Sequence, residues 1–395
     1  MTTKPVPVTA CTLVTALGHG QAAHAAALRE GTSGLRPQGF ETAALDAWLG
    51  VVDHVDDERL PPALARYDCR NNRLAAIALR ADAFDEQVRR AAARHGRQRV
   101  GVLVGTSTSG IMQTELAYRQ RDSDGALPAW LHYPETHDTA SLARFVQAAL
   151  ALEGPAWVIS TACSSGAKAY AAAARLIALG VIDAAVVGGC DTLCMTTLYG
   201  FRALELLSSD VCRPWDARRN GLSLGEGASF ALLQRDDDAP AAWLLGCGES
   251  SDGHHMSSPH PEGAGAADAM RAALADAQLQ SDQVDYINLH GTGTRNNDAA
   301  EDLAVCRVFG RSVPVSSTKG HTGHALGAAG AVEAALTLLA LRDGLLPHGL
   351  HCEQPDAALQ ANYLRQPQQR ALSVAASNSF GFGGSNACLI FGAAK

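Results

Sequence analysis

Residues 157–180 read WVISTACSSGAKAYAAAARLIALG, and this stretch decides the fold. A short apolar run opens into a turn of small residues around Cys163, and an Ala-rich stretch with Lys, Arg and Leu follows, a composition that favours helix. Gly180 stands where a glycine ends many helices. The stretch therefore predicts a buried strand, a tight turn and a long helix.

Three further apolar runs end in turns rich in Gly, Ser or Thr. VGVLV at 100–104 leads into GTSTSG, AAVV at 184–187 leads into GGCD, and YINL at 286–289 leads into HGTGT. Only 5% of the residues are aromatic, which suits close packing of helices on sheets. The alternation of strands and helices predicts an α/β fold whose sheets are buried on both faces.

Sequence similarity between segments of the chain suggests that the chain is duplicated. VGVLVGTSTSG near residue 105 is similar to VDYINLHGTGT near residue 291, and WVISTACSSGAKA near residue 163 is similar to SVAASNSFGFGGSNA near residue 382. Two matches in the same order predict two related halves. DDDAP at 236–240 is the best boundary, so we expect an N-terminal half over 1–238 and a C-terminal half over 239–395.

Composition excludes several classes of protein. The 395 residues are 47% hydrophobic and 18% charged, so a disordered chain is excluded. The net charge of −8 disfavours nucleic-acid binding. No apolar run reaches the length of a membrane span, and the first residues lack the pattern of a signal peptide. Ten dilute cysteines are expected to be reduced, which points to the cytoplasm.

Cys163 is the candidate nucleophile. A thiol in a strand-to-helix turn lies near free backbone N–H groups and the positive end of the helix dipole, and both favour the thiolate. The alternative, a buried inert cysteine, is about equally favoured by the sequence.

Two histidines and an ion pair could assist a thiol. His290 follows the strand YINL, and His324 lies in KGHTGHALGAAG before an apolar helix, where the dipole keeps an imidazole neutral. Lys319 and Glu301 could form a supporting pair, although, taken without further context, a surface lysine and a helix carboxylate are the favoured interpretation. The loop NSFGFGGSNA at 378–387 could offer backbone N–H groups to an oxyanion.

Metal-ligand spacings are weak, and one basic strip stands out. The Cys190/Cys194 pair and the histidines at 254–260 lack a convincing four-ligand spacing, so we expect no metal site. Arg66, Arg70 and Arg73 would share one face of a helix, which is either a dock for an acidic partner or a solvated face.

Together these motifs resemble the elongating β-ketoacyl-acyl-carrier-protein synthases of the thiolase superfamily. The resemblance runs from about Leu13 to the end of the chain and is carried by STACSSGAKA, RPWDARRNGLSLGEGA, SDGHHMSSPHPEGAGA, INLHGTGTRNND, STKGHTGHALGAAG and SNSFGFGGSNA. It implies a five-layer αβαβα sandwich of two duplicated halves and a dimer. It implies substrates carried on the phosphopantetheine of an acyl carrier protein and no other cofactor.

The resemblance also implies residue roles. Cys163 would accept the acyl chain, and His290 and His324 would bind the malonyl thioester and promote loss of carbon dioxide. Lys319 and Glu301 match a supporting ion pair. The remaining roles concern backbone and binding groups: an oxyanion hole from the N–H groups of Cys163 and Phe382, a gate at Phe382, an acyl pocket near Thr108 and Phe201, and carrier docking at Arg66 with the neighbouring Arg70 and Arg73.

Three rival functions share the fold. A biosynthetic thiolase needs a second late cysteine, and Cys388 lies in a core-like run instead. An initiating synthase with Cys-His-Asn is disfavoured by His324, and a silent chain-length partner is disfavoured by Cys163. Arg295 replaces the proline common after HGTGT, so a polyketide or aryl-polyene pathway is an alternative to fatty-acid synthesis. The partner is then either a second copy or a chain-length-factor-like homologue.

Overall fold

The computed structural model describes residues 4–237 and 239–394. Its strands are β1 Val6–Thr15, β2 Gly18–His19, β3 Arg36–Pro37, β4 Trp48–Leu49, β5 Val100–Gly105, β6 Ala156–Ile159, β7 Ala184–Asp191, β8 Gly227–Gln234, β9 Ala242–Ser251, β10 Tyr286–Asn288, β11 Pro314–Ser316, β12 Leu345–Leu346, β13 Asn362–Tyr363, β14 Gln368–Gln369, β15 Val374–Gly381 and β16 Ser385–Ala393.

The α-helices separate these strands along much of the chain. They are α1 Gly20–Glu30, α2 Arg70–Arg80, α3 Phe84–His95, α4 Ile111–Arg119, α5 Ser141–Ala149, α6 Ser165–Ala178, α7 Met195–Ala203, α8 Ala264–Ala277, α9 Arg295–Phe309, α10 Lys319–Thr322 and α11 Ala329–Asp343. The strand, turn and helix predicted around Cys163 are confirmed as β6 and α6, and Gly180 adopts a positive φ of 67° just beyond the helix.

The strand order is symmetric about one antiparallel contact. The main path runs β13-β11-β10-β15-β16-β9-β1-β8-β7-β5-β6, and β1 meets β9 through Val6–Val8 and Ala242–Leu244. On one side β8 is antiparallel to β1 and β7, and β5 is parallel to β7 and β6. On the other side β16, β15, β10 and β11 repeat that arrangement. The chain is therefore built from two halves with equivalent topology.

Helices form three layers around the two half-sheets. Between the halves, α6 packs on β5 and β7 and also on β9 and β16, while α11 packs on β7 and β8 and also on β15 and β16. Helices α2, α3 and α5 cover the outer face of the first half, and α8 with α9 covers the second. This is the five-layer αβαβα sandwich that the resemblance implied.

Strands inside the sandwich are apolar on both faces, because helices cover both sides of each half-sheet. In β7, Ala185 and Val187 belong to the central core and Ala184 and Val186 belong to the outer core. Successive strand residues point to opposite faces, so a strand with helices on both sides must be apolar throughout.

The strand equivalence predicted from internal sequence similarity is right for one pair of strands and wrong for the other. Topology equates β5 with β10, as expected from GTSTSG and HGTGT. It equates β6 with β11, not with β15. In the sheet order, β6 is the strand next to β5 on the outer side of its half, and β11 holds the same position next to β10. Small-residue turns recur after several strands, so turn composition alone does not identify equivalent strands. The expected boundary at residue 238 lies outside the described residues, and the halves 1–238 and 239–395 stay a prediction.

None of the helices in the described part of the chain is long and apolar enough to cross a membrane.

Candidate active site

The candidate nucleophile and both histidines follow strand ends that meet at one edge of the fold. Cys163 follows β6, His290 comes two residues after β10, and His324 follows the short helix after β11. Neighbouring strands β5–β6 and β10–β11 are parallel within each half, so their carboxyl ends lie together. Turns at the carboxyl ends of parallel strands are where α/β folds commonly place ligand-binding groups.

The turn at Cys163 is strained and tightly enclosed. Ala162, directly before the cysteine, has φ of +53°, a left-handed conformation that is uncommon for alanine. A Cβ on Gly381 would lie 2.7 Å from the Thr161 carbonyl oxygen and 3.1 Å from the Cys163 nitrogen. Glycine is therefore needed for the loop at the end of β15 to approach the cysteine. This approach brings the backbone N–H of Phe382 to the Cys163 thiol.

Cys163, His290 and His324 form one compact cluster. The Cys163 sulfur and a ring nitrogen from each histidine lie within 4.8 Å of one another. The imidazole ring centroids are 5.3 Å apart, with the rings nearly perpendicular at 87°. All three residues are buried, yet all three line a cavity of about 320 Å³ that reaches the surface. A small reactant could therefore reach all three groups at once.

Hydrogen bonds orient both imidazoles in the same way. The backbone N–H of Leu326 donates to Nδ1 of His324 at 3.0 Å, and the Lys319 ammonium lies 3.4 Å from Nδ1 of His290. Burial, and in addition the charge of Lys319, lowers the pKa of both histidines well below its usual value. Each ring is therefore neutral, with its single proton on Nε2. The result is a pair of N–H donors, both from the C-terminal half of the chain.

The buried ion pair involves Glu333, so the predicted pairing of Lys319 with Glu301 is wrong. The Lys319 ammonium donates to the Glu333 carboxylate and to the backbone carbonyl of His290. Glu333 lies in the first part of α11, and Lys319 is the first residue of α10, so the ion pair joins these two helices. A carboxylate inside the otherwise apolar AGAVEAALTLLA is the sequence signal that could have identified it, because a charge on such a helix needs a buried partner.

Glu301 has a different role from the one predicted. Its carboxylate accepts the backbone N–H groups of His290 at 2.8 Å and Gly291 at 2.7 Å, and the Asn378 amide at 3.2 Å. Burial raises the pKa of Glu301 to about 7, and these hydrogen bonds oppose the shift. Glu301 therefore holds the His290 turn in place through the backbone, whereas Lys319 contacts the imidazole itself.

The Cys163 thiol is less acidic than the turn position suggested. Burial raises its pKa to about 11, while Lys319 and the backbone N–H groups of Phe382 and Cys163 act in the opposite direction. The expectation of a resting thiolate is therefore wrong, because desolvation of the charged sulfur outweighs the helix dipole. The same N–H groups stabilise negative charge once it forms beside the sulfur.

The cluster has ligand distances suitable for a metal but the wrong proton arrangement. A metal-binding imidazole turns a lone pair to the ion and donates its other N–H outward. In His290 and His324 the outward nitrogen faces donors, so the inward nitrogen carries the proton. The donor set does not fit a metal ion.

Phe201 lies at the cavity and Thr108 does not. The rings of Phe201 and Phe382 stack with centroids 5.6 Å apart, and both line the cavity. The Thr108 hydroxyl donates instead to buried Asp191 at 2.6 Å. Asp191 also accepts from Thr106 and from the backbone N–H of Ala328, so it joins the turn after β5 to the turn before α11. Asp191 was not identified from the sequence. The signal that could have identified it is an acidic residue at the end of the apolar strand AAVVGGCD.

The predicted arginine strip does not form. Arg66 belongs to a 3₁₀ turn, Pro62–Tyr67, and α2 begins only at Arg70. Arg70 is 6% exposed and donates two hydrogen bonds to Glu226, at 2.8 and 2.7 Å. Arg73 is held by Asp68 at 2.6 and 2.7 Å. Arg66 remains exposed, its guanidinium lies over the ring of Tyr67, and it donates to the Tyr67 hydroxyl at 3.4 Å. Two of the three arginines are thus used within the fold.

A five-layer sandwich with a cysteine and two histidines at its strand ends defines a thiolase-like condensing enzyme. The family description "Beta-ketoacyl synthase, N-terminal domain" matches residues 3–239, and "Beta-ketoacyl synthase, C-terminal domain" matches residues 241–353. The chain belongs to the β-ketoacyl synthase family, whose members are acyltransferases that catalyse condensation in fatty-acid or polyketide synthesis.

Named relatives and solved structures agree. The chain is 38% identical over 304 residues to nodulation protein E of Rhizobium meliloti, covering 74% of this chain and 75% of that protein. It is 36% identical over 312 residues to 3-oxoacyl-[acyl-carrier-protein] synthase 2 of Vibrio cholerae, covering 74% and 75%. It is also similar to a structure of the ketosynthase ApeO in complex with its chain length factor ApeC from Xenorhabdus doucetiae, with a TM-score of 0.90, 39% identity and coverage of 99% and 98%.

Proposed function

We propose that this enzyme extends an acyl chain by two carbons, with Cys163 as acyl acceptor and His290 and His324 as the groups that activate the malonyl donor. The observation that carries the proposal is the cluster itself: one thiol and two Nε2–H donors face the same cavity. The substrates are thioesters on the phosphopantetheine arm of an acyl carrier protein, which enter the cavity one after the other.

In the first half-reaction, the Cys163 sulfur attacks the acyl thioester carbonyl. The Cys163 S–C bond forms, the oxyanion rests on the N–H groups of Cys163 and Phe382, and the carrier thiol leaves with the proton from Cys163. Backbone N–H groups directed at developing negative charge are a strong source of rate enhancement. The contact of both groups with the sulfur supports this assignment.

In the second half-reaction, the malonyl thioester carbonyl accepts hydrogen bonds from His290 and His324. Its carbon–carboxylate bond breaks, carbon dioxide leaves, and the electron pair forms an enolate held by the two Nε2–H groups. The enolate carbon attacks the acyl-Cys163 carbonyl, the new carbon–carbon bond forms as the Cys163 S–C bond breaks, and the leaving thiolate takes a proton from water. Lys319 supports this step because its contact with Nδ1 keeps the His290 proton on Nε2.

The stacked rings of Phe201 and Phe382 form a gate between the cavity and the acyl pocket. Phe382 is followed by Gly383, which has φ of +77°, so the backbone beside the ring adopts a conformation that favours glycine. We assign the acyl pocket to the side of the gate near Phe201. Thr108 lies in the neighbouring turn after β5, and the proposal gives it no contact with the acyl chain.

A second ketosynthase-fold chain is proposed to pair with β6. This strand ends the main sheet path, hydrogen-bonds only to β5 within the described residues, and exposes 51% of Trp157. An exposed strand edge with a large aromatic residue is a ready site for pairing with another strand. It ends four residues before Cys163, so the partner would lie beside the active site. The partner is a second copy or a chain-length-factor-like homologue.

The pathway is proposed to be polyketide or aryl-polyene synthesis. The support is the 39% identity over 99% of the chain to the ApeO–ApeC structure, in which a ketosynthase is paired with a chain length factor. Fatty-acid elongation is the second candidate, favoured by the named synthases. The cytoplasm is the proposed location, which the ten free cysteines support. Arg66 is proposed as a carrier contact.

Intact-mass spectrometry tests the acyl acceptor. The wild type and Cys163→Ala are mixed with saturated and conjugated acyl thioesters of an acyl carrier protein. The expected result is a mass gain equal to the acyl group in the wild type alone, larger for conjugated chains when a chain-length-factor-like partner is present. An equal adduct in Cys163→Ala, or none in the folded wild type with any donor or partner, would overturn the proposal.

A further inference from the structure

Arg295 is a cation in the wall of the active-site cavity, and it forms no ion pair within 4 Å among the described residues, although its charge contributes to lowering the pKa of Asp356. It is exposed, whereas Cys163, which lines the same cavity, is buried. Nearby cations are committed elsewhere: Arg218 pairs with Asp216 and Glu353, and Arg219 pairs with Asp356. The guanidinium of Arg295 is therefore available to a ligand that enters the cavity.

The position of Arg295 is unfavourable without an anion. It is the first residue of the 15-residue helix α9, where the helix dipole places partial positive charge. A cation there is repelled by the backbone, so its presence is not explained by helix stability. Asn296 and Asn297 follow it in the same cavity wall and add amide groups.

The carboxylates of the cavity do not neutralise it. Asp252 accepts the backbone N–H of His260 at 2.8 Å and the Asn386 amide at 2.7 Å. Glu205 lines the cavity too, but no ion pair joins it to Arg295 in the described residues. The N–H groups of the Arg295 guanidinium therefore have no carboxylate acceptor within 4 Å among the described residues and are free to bind an anionic ligand.

We propose that Arg295 binds the phosphate of the phosphopantetheine arm while its thioester lies at Cys163. The inference rests on the proposed function, because that function places the thioester end of the arm in the depth of the cavity. The other end of the arm carries its phosphodiester and emerges at the rim. A guanidinium matches a phosphate through two parallel N–H···O contacts, so Arg295 is a binding residue that positions the arm.

The test compares donors that differ only in the phosphate. The rate constant for Cys163 acylation is measured with acyl-4′-phosphopantetheine, with acyl-pantetheine and with acyl carrier protein, for the wild type, Arg295→Ala and Arg295→Lys. Arg90→Ala, on an exposed side chain of α3, is the matched control. We expect Arg295→Ala to slow acylation by acyl-4′-phosphopantetheine about tenfold, with acyl-pantetheine unchanged and Arg295→Lys intermediate.

Three outcomes would overturn the inference. Equal losses with both small donors would mean that Arg295 only supports the fold of the rim. A loss confined to the acyl carrier protein would mean a contact with the carrier surface. No loss with any donor would remove Arg295 from binding. A wild type that no donor acylates would instead overturn the proposed function, so the two failures are distinguishable.

Discussion

The backbone N–H of Leu326 donates to Nδ1 of His324 at 3.0 Å and thereby fixes the tautomer of that imidazole. The nitrogen that faces Cys163 must then carry the proton, and Lys319 imposes the same arrangement on His290. Two neutral N–H donors directed at one point can stabilise an enolate oxygen without themselves changing charge. The buried Lys319–Glu333 pair keeps the required proton in place.

Removing either histidine should separate the two half-reactions. His324→Ala and His290→Ala are each expected to slow malonyl decarboxylation 100-fold or more, a typical loss for one oxyanion donor, at about 10²–10³. Acylation of Cys163 should persist, because its oxyanion hole consists of backbone N–H groups. Carbon dioxide release and intact mass measure the two steps, with exposed His54→Ala as control. Loss of acylation together with decarboxylation would contradict this division.

Substitutions in the Lys319–Glu333 pair should separate the free energy of unfolding from the rate of decarboxylation. Lys319→Met leaves Glu333 buried without a partner and is expected to lower the free energy of unfolding by about 3–5 kcal/mol. Adding Glu333→Leu should restore most of that stability, but decarboxylation should stay low because His290 has lost the donor to Nδ1. Denaturant unfolding and carbon dioxide release measure the two effects.

The matched control for that double variant is Lys319→Met with Glu301→Gln. Glu301 binds backbone N–H groups and not Lys319, so this combination should not restore stability. Recovery of stability with Glu301→Gln instead of Glu333→Leu would show that the lysine partner is Glu301.

The sequence predicted the residues of the Cys163, His290 and His324 cluster because turns after strands have recognisable composition. WVISTACSSG and YINLHGTGT each combine a strand signal with glycines, so the ends of β6 and β10 could be located without a structure, whereas His324 was located by the apolar helix that follows KGHTGH. The partner of Lys319 could not be identified from turn composition, because Glu301 and Glu333 are both helix carboxylates; the signal that separates them is the apolar run AGAVEAALTLLA around Glu333. Arg70 shows the same difficulty: helical spacing places it beside Arg66 and Arg73, but its carboxylate partner Glu226 lies 156 positions away along the chain.

Alkylation of Cys163 should depend steeply on pH. The thiolate is the reacting form, and burial raises the pKa of Cys163 to about 11, so the thiolate fraction rises about tenfold for each pH unit between 7 and 10. The rate of iodoacetamide labelling at Cys163, followed by peptide mass mapping, should increase over this range without a plateau. Cys163→Ala identifies the background. A plateau near pH 8 would instead indicate the lowered pKa that the helix dipole alone suggests.

Substitutions at Arg66 and Arg70 should affect different properties although the two residues are only four positions apart. Arg70→Ala leaves the buried Glu226 carboxylate without its bidentate partner, so the free energy of unfolding should fall by about 3–5 kcal/mol. Arg66→Glu changes an exposed side chain, so stability should change by less than about 0.5 kcal/mol. Its charge reversal should still lower kcat/KM severalfold with acyl carrier protein, which is acidic, while leaving acyl-pantetheine unaffected. Thermal unfolding and steady-state rates measure both effects. An Arg66→Glu enzyme with wild-type kcat/KM toward the carrier would move the docking surface away from this turn.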